Sequence, residues 1–172
     1  MARTGRRTAF VLAAFLAALL LAACSTLTVR HLARAPWSVA PGQSLAMRYW
    51  RFSYDVVQLP DQYGIKGHAL PTAEVPEWVA YARDLWFEAY LCDEQGQVLA
   101  RASRVYQSRP LDRNTGVEFE FILKPFPPRG KNAKLFVTFG YSMNAAERDP
   151  QAQGNAAPAR IFFASESALS RF

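Results

Sequence analysis

The chain has 172 residues, 51% of them hydrophobic and 20% charged, with nine glycines and eleven prolines, which is too apolar for a disordered chain and too mixed for a fibrous one. A chain of this size builds one ordinary core, and two cysteines cannot supply a disulfide framework. The net charge of +6 includes three arginines in the first seven residues; setting residues 1–23 aside leaves +3, with no consecutive Lys or Arg to attract nucleic acid.

Arg3, Arg6 and Arg7 precede an unbroken run of Ala, Leu, Phe and Val over residues 9–23, the charged-then-apolar layout of an export signal. Those 15 residues span roughly 22 Å as a helix, short of the roughly 30 Å hydrocarbon core, so a permanent transmembrane helix is disfavoured. The run closes on Leu21-Ala22-Ala23-Cys24, which resembles the lipobox of bacterial lipoproteins. That resemblance implies recognition through Leu21, Ala22 and Ala23, cleavage before Cys24, diacylglycerol on the Cys24 thiol and a further acyl chain on its new amino group. Two or three chains, at about 0.8 kcal/mol per buried methylene, hold a protein on a bilayer essentially irreversibly. In that class an Asp after the cysteine retains the protein in the inner membrane. Here Ser25 follows, so the expected location is the outer membrane, facing the periplasm. The expected organisation is a signal peptide over 1–23, a lipidated tether over 24–35 and a single domain over 36–172.

Beyond the signal the chain reads as strands. Residues 27–29 begin a first strand within the tether. After the Pro41-Gly42 turn, residues 44–59 form a long strand with Trp50, Phe52, Tyr54 and Val56 on one side and Leu45, Met47 and Tyr49 on the other. Residues 60–84 form a long insertion, and Pro76 followed by Trp78, Val79, Tyr81 and Ala82 predicts a short helix over 76–83. Residues 85–92 are a strand whose core face is Leu85, Phe87, Ala89 and Leu91. Asp93-Glu94-Gln95-Gly96 is a tight turn, with Gly for the positive-φ position, and residues 97–106 return as the hairpin partner. Val117, Phe119, Phe121 and Leu123 alternate with Glu118, Glu120 and Ile122, the cleanest half-buried strand. Residues 132–143 repeat that pattern through Leu135, Val137, Phe139 and Tyr141. Residues 144–158 read as an exposed loop and 160–164 as a last short strand.

About six or seven strands without a sustained helical period predict an all-β fold, a two-layer antiparallel β-sandwich of immunoglobulin-like or transthyretin-like type. A membrane barrel is disfavoured, because Glu166, Ala168 and Ser170 stand where a closing barrel strand needs lipid-facing apolar groups.

Chemistry is sparse. His31 and His68 have no cysteine or carboxylate at metal-ligand spacing, so no metal site is expected. Glu118 and Glu120 share a strand face but read as a solvated surface, and Asp93 and Glu94 as turn formers. Cys92, without a partner once Cys24 is lipidated, reads as a small buried apolar residue. Arg101, Arg104, Arg109 and Arg113 form a loose cluster, expected to be exposed, salt-bridging charge. Tryptophans and tyrosines exceed what one small core needs, so some should line an interface. Trp86 and Tyr90, beside Glu88, share a face that can stack on a sugar ring or pack beneath the long insertion.

The expectation is therefore a non-enzymatic, lipid-anchored subunit that binds another envelope protein through its loops and edges. Its membrane contact is the lipid on Cys24, and no cofactor or nucleic-acid partner is expected. The alternative is a glycan or peptidoglycan binder using Trp86, Glu88 and Tyr90; an envelope hydrolase with carboxylate catalysis is weaker still.

Overall fold

A computed structural model describes residues 26–60, 62–125, 134–149 and 159–171. Two antiparallel sheets pack face to face, and the fold is all-β, with no helix among the described residues. The first sheet runs β11 (Ile161–Glu166), β10 (Phe136–Ala146), β6 (Tyr81–Cys92) and β7 (Val98–Tyr106) in that order. Two short strands, β2 (Ala35–Pro36) and β8 (Arg109–Pro110), extend it beside the first residues of β10 and β6. The second sheet runs β3 (Gln43–Ala46), β4 (Trp50–Leu59), β5 (Gln62–Pro71) and β9 (Val117–Leu123). A separate ribbon pairs β1 (Thr26–Thr28) with β12 (Leu169–Arg171).

Period-two alternation builds the core. The inward faces read from the sequence, Trp50 to Val56 on β4, Leu85 to Leu91 on β6 and Val117 to Leu123 on β9, are all buried. They meet on Phe52, which stacks on Phe139 at 4.3 Å with the planes 7° apart and takes the edges of Phe87 and Phe119 at 5.3 and 5.6 Å. Such aromatic pairs add about 0.5 to 1.5 kcal/mol each beyond the area they bury. The β6–β7 turn forms as expected: Asp93 Oδ1 accepts from the Gln97 amide at 2.8 Å and Gly96 takes φ +74°.

Five features depart from the expected elements. The predicted helix over 76–83 is absent. Residues 72–80 are turns in which Val75 and Val79 are buried, and from Tyr81 the chain is already β6, pairing with β8 and β10. A single turn started by Pro76 offers few hydrogen bonds, and the ladder to a central strand outcompetes it. Residues 62–71 of the same insertion form a full strand, β5, between β4 and β9. Its glycines hide it from propensity, yet they permit close approach: a Cβ at Gly67 would lie 2.0 Å from the Ser53 carbonyl oxygen.

The expected strand 44–59 divides at residues 47–49, where the Met47 amide donates to the Trp50 carbonyl and makes a hairpin. β10 continues to Ala146, past the expected end at 143; residues 150–158 of the expected loop lie outside the described residues. The segment read as tether is part of the folded body from Thr26 onward. Val29 is fully buried, Leu32 is buried, the Val29 amide donates to the Gly96 carbonyl, and the Thr138 hydroxyl donates to the Ala33 carbonyl at 2.5 Å.

Candidate functional site

Cys24 and the recognition residues Leu21, Ala22 and Ala23 lie outside the described residues. Trp86, Glu88 and Tyr90 do share the outer face of the first sheet, but they do not form an open aromatic platform. Tyr90 is 1% exposed. Its ring lies over Gly140, where a Cβ would come within 2.9 Å of Tyr90 Cε2. The hydroxyl donates to Glu88 and accepts from the Ala168 amide at 3.2 Å, so the segment entering β12 closes over it. Burial and the Glu88 carboxylate push the phenol well above its ordinary range, with the Ala168 amide opposing. Trp86 is half-buried, in register with Val105 on β7 and Ser142 on β10.

The surplus aromatics are otherwise absorbed by packing. No tryptophan or tyrosine among the described residues is exposed. Trp37 packs edge-on to Tyr63 at 5.0 Å, Tyr49 edge-on to Phe162 at 5.3 Å, and the Arg160 guanidinium lies 4.7 Å from the centre of the Trp78 ring.

A charged groove of about 560 Å³ lies beside β9, lined by Asp55, Lys66, His68, Arg104, Glu118 and Glu120. The register places Ser53, His68 and Glu118 in one row across β4, β5 and β9, and Asp55, Lys66 and Glu120 in the next. His68 Nε2 lies 3.3 Å from Glu118 Oε1, a partner fifty residues away that sequence spacing could not reveal. Their side chains are 54% and 86% exposed. In bulk water such a pair is weak, and the two glutamates form the solvated face that alternation predicted. Among the described residues no group of three His, Cys, Asp or Glu is placed to hold a metal ion. Cys92 is buried beside Phe136, and desolvation pushes its thiol up to about 11 against the opposing charge of Arg34.

The four arginines do not act together. Arg113 donates to the carbonyls of Val75 and Pro76 and ties down the 72–80 turns. Arg101, Arg104 and Arg109 are exposed, Arg104 with its guanidinium 5.5 Å from the centre of the Tyr106 ring.

The sheet edges differ in kind. An edge strand offers unpaired backbone groups, and proteins blunt it by shortness or charge. β3 is four residues long. β7 presents Arg101 and Arg104, and β9 presents Glu118 and Glu120. Among the described residues β11 is the least charged of the edges longer than β3: Glu166 at its end is its one charge, and Ile161 and Phe163 are 60% and 68% exposed while Phe162 and Ala164 turn inward. The sequence reading placed a strand here but not a surface, because exposure at positions 161 and 163 depends on which neighbour β11 takes. Compared with family models, curated proteins and solved structures, the chain matches none.

Proposed function

We propose that this protein is a lipid-anchored, non-catalytic assembly subunit of the bacterial cell envelope. It is held by diacylglycerol on Cys24, faces the periplasm from the outer membrane, and docks an envelope protein along β11. The lipobox-like Leu21-Ala22-Ala23-Cys24 supports the anchor. The observation that carries the docking is the edge contrast: among the described residues β3 is short and β7 and β9 set charges beside their exposed Val105 and Ile122, whereas β11 presents Ile161 and Phe163 with its one charge, Glu166, at its far end. A partner strand added there gains main-chain hydrogen bonds along β11 and a pocket for the two side chains. The glycan reading is the second choice, because sugar stacking needs an open ring and Tyr90 is buried with its hydroxyl on the Ala168 amide, which leaves Trp86 alone to stack.

The test is purification of the full chain from detergent-solubilised envelopes, beside the double variant Ile161→Lys with Phe163→Lys. The parent is expected to carry a stoichiometric protein partner and the variant to lose it with an unchanged melting temperature, since exposed substitutions typically move stability by no more than about 0.5 kcal/mol. A variant that keeps its partner at full stoichiometry removes β11 from the interface.

A further inference from the structure

The place of the first paired residue has a geometric consequence for a chain anchored at Cys24. β1 begins at Thr26, two residues later, and two residues span at most about 7 Å fully extended. Nor does the slack continue beyond β1. Thr28 is buried and its hydroxyl donates to the Gly96 carbonyl, Val29 is fully buried, and His31 Nε2 lies 3.0 Å from the Ser167 carbonyl. An anchor on Cys24 would therefore hold the body close to its lipid.

The end at which β1 sits follows from the register. Thr28 bridges Gln97, just past the β6–β7 turn. Cys92 lies opposite Phe136, where β10 begins; Tyr63 lies opposite Leu123, where β9 ends; and Trp37 packs on Tyr63, joining both sheets at the same end. This end differs in surface character. Val57 and Ile122, aligned across Gly64, are exposed, as are Leu59 at the β4–β5 turn and Leu169 on β12. Arg30 and Lys124 are exposed at this end, Lys134 is paired with Glu94 at 3.0 Å, Arg34 holds the Asp93 and Glu94 carbonyls, and Asp55, Lys66 and Glu120 form the next row beyond Val57 and Ile122.

We infer that this end of the sandwich rests on the surface of the bilayer that holds the Cys24 lipid, with Val57, Leu59, Ile122 and Leu169 meeting the headgroup region and Arg30 and Lys124 meeting anionic headgroups. Apolar groups with basic residues beside them suit an anionic interface, and each basic residue near such a surface contributes about 1 kcal/mol. The opposite end, with the β7–β8 turn at residues 107–108 and the free edge around Ile161, then points away from the membrane, where a partner can reach it. This rests on the acylation of Cys24 proposed above.

Gln95 and Gln107 are exposed at the two ends of β7, about 30 Å apart along its nine residues. The native acylated chain, carrying a fluorescent amino acid at one or the other position, is reconstituted in vesicles of phosphatidylethanolamine and phosphatidylglycerol bearing a contact quencher on their headgroups. The label at 95 is expected to lose most of its fluorescence and the label at 107 essentially none. Equal quenching at both positions, or stronger quenching at 107, in material whose mass confirms the acyl chains overturns the orientation and leaves the anchor standing. A mass showing a bare Cys24 thiol or an uncleaved leader overturns the anchor and this inference together.

Discussion

Phe52 is the ring on which the two sheets meet, touching Phe139, Phe87 and Phe119 from three directions. Its truncation leaves a cavity that three rigid rings cannot fill, so Phe52→Ala is expected to cost about 3 to 5 kcal/mol, read as a shift of the urea midpoint. A midpoint within error of the parent would remove Phe52 from the centre of the core. Cys92 and the buried tyrosines set the response to alkali. Burial pushes the Cys92 thiol from 9.0 up to about 11, and Tyr54 and Tyr106 from 10.0 up to about 12. An unfolded chain releases these protons first, so between pH 9 and 11 the native state binds more of them. The contribution of Cys92 is complete below pH 9 and is lost as pH rises through 11. The urea midpoint should fall across that window, and Cys92→Ala should lessen the fall; an equal fall in both proteins would assign the alkaline loss elsewhere.

At the level of elements, β10 is a central strand that accommodates a foreign ring. Gly140 gives Tyr90 room to lie across the outer face of the sheet, and Tyr90 in turn receives the chain entering β12. Strand propensity alone favours a β-branched residue at position 140. The structure reverses that preference: Gly140→Val overpacks against Tyr90 and the Glu166 carbonyl and should cost about 1 to 3 kcal/mol, whereas Ser142→Val, two residues on, should be near neutral. Thermal melting of both variants checks this, and a Gly140→Val protein as stable as the parent would show that Tyr90 does not need the space. The strands most legible in the sequence were those with one wet face. β9 alternates buried and exposed without a break. β5 was not legible, because Gly64, Gly67 and His68 interrupt its pattern and its reason to be a strand lies in β4 and β9 on either side. The helix expected over 76–83 erred for a related reason: residues from Tyr81 onward answer to a ladder with β10 that no local window contains.

Over the whole molecule, the ends and edges of the sandwich carry the functional asymmetry. The chain enters and leaves through one ribbon, β1 with β12, laid against the turn between β6 and β7. The candidate site was legible only in part. Leu21 to Cys24 stand in the sequence as a pattern, and Trp86, Glu88 and Tyr90 stand there as neighbours on one strand face. That Tyr90 is roofed, that His68 finds Glu118, and that β11 ends its sheet all depend on pairings between residues far apart in the chain.

Composition and alternation by themselves determined that this chain folds as strands around an aromatic core, because burying one face of a pleated strand requires apolar residues at every second position, and that pattern is local. They also determined where the turn at residues 93–96 falls, because Asp and Gly act within four residues of themselves. Only the tertiary structure decided which strands are edges, which outward-facing rings are covered, and that Val29 and Leu32 of the expected tether are buried in the body. Those outcomes are set by long-range register, and the energy that selects a register resides in neither partner until both are in place.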